Sequence, residues 1–175
     1  MSKFEYIDGG DVTNPINTGK KALIVHCVND IFVMGAGVAR ALFTKWPNVR
    51  TEYLKWGRTN PQLGDVQYVD VAKNIVVGNL IGQHNVVKDR EGNPPVRYEA
   101  VAKGFDNVRK YAVKNNCDVH IPNLACCDLA GGVWVKVEEI IQKALPDTDV
   151  YIYDLFHQRK SGKNEMENLS DIWSV

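Results

Sequence analysis

A nearly continuous apolar run, Ala22-Leu23-Ile24-Val25-His26-Cys27-Val28, limits the architectures open to this chain more than any other feature. Its residues do not alternate, so both faces of the segment require burial, as in the middle of a sheet covered by helices on each side. A loop from Asn29 to Met34 then leads to Gly35-Ala36-Gly37, and Val38 to Trp46 carries a helical pattern stopped by Pro47. A second unit of this kind occupies residues 117–137. Asp118 to Pro122 reads as a buried strand, Asn123 to Val133 as a loop of small residues ending in Gly131-Gly132, and Trp134 opens an amphipathic helix. A strand, a glycine loop and a helix N-terminus together gather free N–H groups and the positive end of the helix dipole, which suits a phosphate. An ordinary tight turn is the alternative, and Gly-Gly alone does not decide between them.

The remaining elements complete an alternating pattern. Phe4 to Ile7 is a short strand, Asp65 to Val71 and Ile75 to Ile81 form a hairpin turning at Lys73-Asn74, and Val150 to Leu155 is the last strand. Val49 to Trp56 extends the helical region, and Gly82 to Pro95 is a long polar loop. Tyr98, Val101, Phe105, Val108 and Ala112 recur at spacings of three and four, the stripe of an amphipathic helix. Strands and helices in this order predict a three-layer α/β/α sandwich with a mixed, mostly parallel central sheet. Ligands of such sheets sit beyond the carboxyl ends of the strands, where both glycine loops lie.

A length of 175 residues suits one domain with a tail, here residues 1–156 followed by 157–175, the tail flexible or docked late. The 21 basic and 21 acidic side chains cancel, which removes the broad positive field of a nucleic-acid-binding surface. No run is long enough to span a bilayer and the first residues lack a signal pattern, so a cytoplasmic protein with no membrane partner is expected. Cys27, Cys117, Cys126 and Cys127 lack metal-like spacing and are expected as reduced thiols; no metal or cofactor is expected.

Four short stretches carry a resemblance. Val25-His26-Cys27-Val28-Asn29 and Met34-Gly35-Ala36-Gly37-Val38-Ala39, with Gly10-Asp11-Val12 upstream and Leu129-Ala130-Gly131-Gly132-Val133-Trp134 downstream, closely resemble the macro domain family, which binds ADP-ribose. The likeness runs from about Phe4 to Phe156. It implies ADP-ribose or a derivative as ligand, with an ADP-ribosylated protein as a possible partner. Asp11 would then accept a hydrogen bond from the adenine amino group and Val12 would help hold the ring. Phe156 would stack on the base. Leu129, Ala130, Gly131, Gly132 and Val133 would offer N–H groups to the diphosphate, while Gly35, Ala36, Gly37 and Val38 line the distal ribose and Asn29 binds its hydroxyls. Taken without the family, Asp11 reads as a turn aspartate and Asn29 as a structural asparagine.

Catalysis divides the family. One branch uses a lysine just after the fifth strand, and Gly82-Gln83-His84-Asn85 has none before Lys88. The chain is similar to ADP-ribose 1''-phosphate phosphatases in carrying a histidine nine positions before the first glycine of the ribose loop, His26 before Gly35. A core histidine is the other reading of it. Asp128, where a glycine is common, would position water or act as general acid. The resemblance thus implies a phosphatase using His26, Asn29 and Asp128, with an ADP-ribosyl hydrolase or a non-catalytic reader as alternatives. Cys126 and Cys127 share the diphosphate loop, as packing residues or as a thiolate beside a helix dipole.

Overall fold

In a computed structural model that describes residues 2–127 and 130–158, six strands form one sheet and four helices cover it. The elements, in chain order, are β1 (Phe4–Asp8), β2 (Lys21–Asn29), α1 (Gly37–Lys45), α2 (Asn48–Gly57), β3 (Val66–Ala72), β4 (Ile75–Gln83), α3 (Tyr98–Asn115), β5 (Cys117–Pro122), α4 (Trp134–Ala144) and β6 (Val150–Asp154). Asp128, Leu129 and everything after Gln158 lie outside the described residues, and with them two expected site residues and most of the tail.

The strand order is β1-β6-β5-β2-β4-β3. Every neighbouring pair is parallel except the β3–β4 hairpin, so the antiparallel strand sits at an edge. The apolar run falls in β2, between β5 and β4, as its lack of alternation requires. Leu23 and Val25 face the α3 and α4 layer, against Phe105, Val108, Val137 and Ile141. Ile24 and Val28 face the other layer, where Leu42 of α1 and Val49 and Tyr53 of α2 close a second core. Each such aliphatic side chain, fully buried, contributes about 1.5–3 kcal/mol. The result is the expected three-layer sandwich.

Two local features refine the sequence reading. The helical stretch around Pro47 is two helices rather than one, because Pro47 has no N–H to continue α1 and instead precedes the first turn of α2. The Gly82 to Pro95 connection begins later than expected, since β4 continues to Gln83, which pairs with Val96 in an isolated bridge. Within it the Asp89 carboxylate accepts hydrogen bonds from the Glu91 and Asn93 backbones and from the Asn93 side chain, which folds the tip into a closed turn. Among the described residues no helix is long and apolar enough to cross a membrane.

Candidate functional site

Beyond the C-terminal end of β2 lies a cavity of about 380 Å³, between the loop entering α1 and the loop leaving β5. Its volume is that of a small-molecule site. Its wall includes His26, Asn29, Gly35, Ala36, Gly37 and Val38 from one side and Asn123, Leu124, Ala125, Cys126 and Ala130 from the other. The two glycine loops read from the sequence therefore do converge. Among the described wall residues there is no lysine, arginine or carboxylate, so an anion held here must be met by backbone amides and helix dipole.

The first turn of α1 supplies such amides. Its N-cap is Ala36, which has no side chain to accept from them, so the leading N–H groups of the helix open onto the cavity wall. The second loop is less open than expected. Gly132 N–H is already given to the Cys126 carbonyl at 2.9 Å and Val133 N–H to the Tyr98 hydroxyl at 2.9 Å. Gly131, Gly132 and Val133 also stand outside the cavity wall, while Ala130 is in it. The glycines serve the loop's own closure: a Cβ on Gly132 would stand 2.2 Å from the Cys126 carbonyl oxygen, and Gly131 has φ +72°. Leu124 and Cys126 are also left-handed, at φ +69° and +66°, a conformation costly outside glycine and concentrated at binding loops.

His26 reaches the cavity at only 3 % exposure. It stands on the α1/α2 face of β2, with Nε2 2.5 Å from Oδ1 of Asn79, its register partner on β4. Asn79 in turn donates from Nδ2 to Gln67 Oε1 at 3.0 Å, which fixes its carboxamide and makes His26 Nε2 the protonated nitrogen. Nδ1 then carries the free lone pair and has no partner among the described residues. Burial pulls the imidazole pKa down to about 4, against a smaller opposite effect of the Asn79 bond, so the ring is neutral at pH 7.

Asn29 shapes the loop beside it. Its Oδ1 accepts from the backbones of Ile31 (3.2 Å) and Val33 (3.1 Å) and lies 3.0 Å from the Tyr53 hydroxyl. Its Nδ2 donates to the Val33 carbonyl at 2.7 Å, leaving one amide hydrogen for a ligand. Asp11 and Phe156 follow β1 and β6, which are sheet neighbours, so they share one end of the crevice, outside the cavity wall. One Asp11 oxygen is taken by the Thr13 backbone and hydroxyl; the other has no partner among the described residues. Phe156 is 48 % exposed, whereas Val12 is buried in the core beneath.

The thiols of Cys27 and Cys126 meet at the cavity wall. That contact, ahead of burial, pushes the Cys126 thiol well up from its ordinary value, so it stays protonated and the thiolate reading is not met at Cys126. Gln83 and Asn123 also border the cavity, and neither stood out as a site residue in the sequence. A polar residue at the C-terminal end of a buried parallel strand was the available signal.

No protein-family model matches the chain. A macrodomain protein from Streptomyces coelicolor is 33% identical with a TM-score of 0.74, the alignment covering 87% of this chain and 99% of that one. The chain belongs to the macrodomain family. A protein of unknown function from Bacteroides thetaiotaomicron is 36% identical to this macrodomain, with a TM-score of 0.82 over 87% of this chain and 98% of that one. The Thermosipho africanus DarTG structure, solved in complex with ADP-ribose, shares the fold at a TM-score of 0.64 and 18% identity, over 82% of this chain and 39% of that one. Among curated proteins, zebrafish (Danio rerio) chromodomain-helicase-DNA-binding protein 1-like is 26% identical over 161 residues. That match takes in 87% of this chain and only 15% of the relative's length.

Proposed function

We propose that this macrodomain binds ADP-ribose across the C-terminal ends of β1, β6, β5 and β2 and removes phosphate from ADP-ribose 1''-phosphate. Adenine lies between Asp11 and Phe156, the diphosphate against the part of the β5–α4 loop that lines the cavity, Leu124 to Cys126 and Ala130, and the distal ribose against Gly35 to Val38. The observation that carries this reading is the convergence of an uncapped α1 N-terminus and the neutral edge of His26 on one cavity that has no cationic side chain in its described wall. A terminal phosphate dianion is stabilised at such a helix start.

A ring with a pKa near 4 is a weak general base at pH 7 but is fully unprotonated, so nucleophilic attack suits it better. His26 Nδ1 forms a bond to phosphorus while the bond from phosphorus to the 1''-oxygen breaks. The departing oxygen takes a proton from Asp128, releasing ADP-ribose, and water then hydrolyses the phosphohistidine to inorganic phosphate. Phosphate release from ADP-ribose 1''-phosphate, followed alongside calorimetric binding of ADP-ribose, tests this. His26→Ala is expected to lose turnover by about a hundredfold or more while retaining binding. A variant as fast as the parent sinks the assignment.

A second reading is release of ADP-ribose from a macromolecule. It is favoured by the apolar side chains of Ile31, Val33 and Val87, which are 43 %, 55 % and 62 % exposed on the two loops flanking the distal end of the cavity. ADP-ribose released from a mono-ADP-ribosylated protein, with no phosphate released from the 1''-phosphate, selects it.

A further inference from the structure

Among the described residues, one buried side-chain oxygen or nitrogen has no hydrogen-bond partner: Oδ1 of Asn123. Asn123 is 5 % exposed, directly follows β5 and forms part of the cavity wall. Its orientation is set from the other side. The backbone N–H donates to the Tyr153 carbonyl at 2.9 Å, and Nδ2 approaches Oδ1 of Asp154 at 3.4 Å. Exchanging the amide's nitrogen and oxygen would set an acceptor against that carboxylate, so Nδ2 faces β6 and Oδ1 faces away from it. An enclosed acceptor without a donor lowers stability and gains nothing in the empty protein.

We infer that Asn123 Oδ1 is a recognition group for a ribose hydroxyl on the adenosine half of the ligand. This rests on the ADP-ribose reading above and adds a contact to it. The acceptor selects a donor and rejects phosphate oxygens, and the neighbouring Asp154 carboxylate reinforces that choice. In the sheet order, β6 and β5 stand between the adenine end at β1 and the distal-ribose end at β2. The diphosphate loop begins at the next residue, Leu124. What lies over Asn123 is therefore the sugar that joins adenine to the diphosphate.

The test compares binding of ADP-ribose, 2'-deoxy-ADP-ribose and 3'-deoxy-ADP-ribose by calorimetry, on the parent protein and on Asn123→Leu. The parent is expected to bind one deoxy ligand about tenfold more weakly than ADP-ribose, the loss of one hydrogen bond. Asn123→Leu should bind ADP-ribose about tenfold more weakly and no longer distinguish that pair. Equal binding of all three ligands by the parent overturns the inference and leaves ADP-ribose binding intact, as does full discrimination by a folded Asn123→Leu. Failure of the parent to bind ADP-ribose overturns the underlying reading instead. The parent's comparison needs no substitution, so a poorly folding variant does not rescue the proposal.

Discussion

His26 and Asn29 are three positions apart on one strand, and what each can do is decided by residues distant in sequence. The sequence showed a histidine and an asparagine at the end of an apolar run, and it left core and site readings open for both. What the fold adds is the partner of each: Asn79 stands opposite His26 only because β4 pairs with β2 in the observed alignment, and Tyr53 reaches Asn29 only because α2 packs on that face. The folded pKa of His26, about 4, is below its unfolded value of 6.5, so between these values the unfolded chain binds more protons and stability rises with pH. The stabilisation is complete above pH 6.5 and is lost as pH falls towards 4, about 3 kcal/mol in all. Denaturant titrations from pH 7.5 to 4.5 should show that slope, and it should flatten in His26→Gln. Asn29→Ala should cost about 2–4 kcal/mol, since it strands the Ile31 and Val33 groups that the side chain now satisfies, and should disorder the 29–34 loop beside the cavity. A midpoint shift under about half a kcal/mol would show that these bonds are replaced by water.

At the level of elements, periodicity and punctuation carried most of the reading. The stripe of α3, the hairpin turn at Asn74 with φ +67°, and the stop at Pro47 were all legible because each depends on neighbouring residues. The openness of the β5–α4 loop was not, because the Cys126 carbonyl and the Tyr98 hydroxyl that claim its donors are fixed by tertiary folding. The uncapped start of α1 leads to a two-sided prediction. Ala36→Asp should cap the helix and raise stability by about 1 kcal/mol, while its carboxylate takes up the amides and repels the ligand's phosphates. Melting temperature should rise as ADP-ribose affinity falls; a gain or loss in both together would mean that these amides do not meet the ligand. Gly104 in α3 packs closely on β4, since a Cβ there would stand 2.4 Å from Leu80 Cγ. Gly104→Ala should therefore destabilise by about 1–3 kcal/mol, read by denaturant midpoint.

Across the whole molecule, the class of fold followed from the alternation of elements, but the strand order did not. A central β2 flanked by β5 and β4 requires long crossovers that no local pattern encodes, and it is this order that brings two loops nearly ninety residues apart to one cavity. Because the described wall has no cationic side chain, affinity for ADP-ribose should be held by amides and respond weakly to ionic strength. Raising salt from about 0.05 to 0.5 M should change the calorimetric Kd by less than about threefold. A tenfold loss would point to a mobile lysine or arginine entering the site.

The pairing of β1 with β6 also decides where a label can be attached. Because the two strands are parallel, Ser2 and Lys3 are tethered beside Pro146 and Asp149 at the end of the sheet remote from the crevice, while Gln158 leaves from the end that holds Phe156. A fluorophore or affinity handle joined ahead of Ser2 is kept a strand's length away, about 16 Å, and should leave titrations undisturbed. The same group joined at Gln158 would start from the end that holds Phe156, where the proposed ligand's base is placed, and should disturb them.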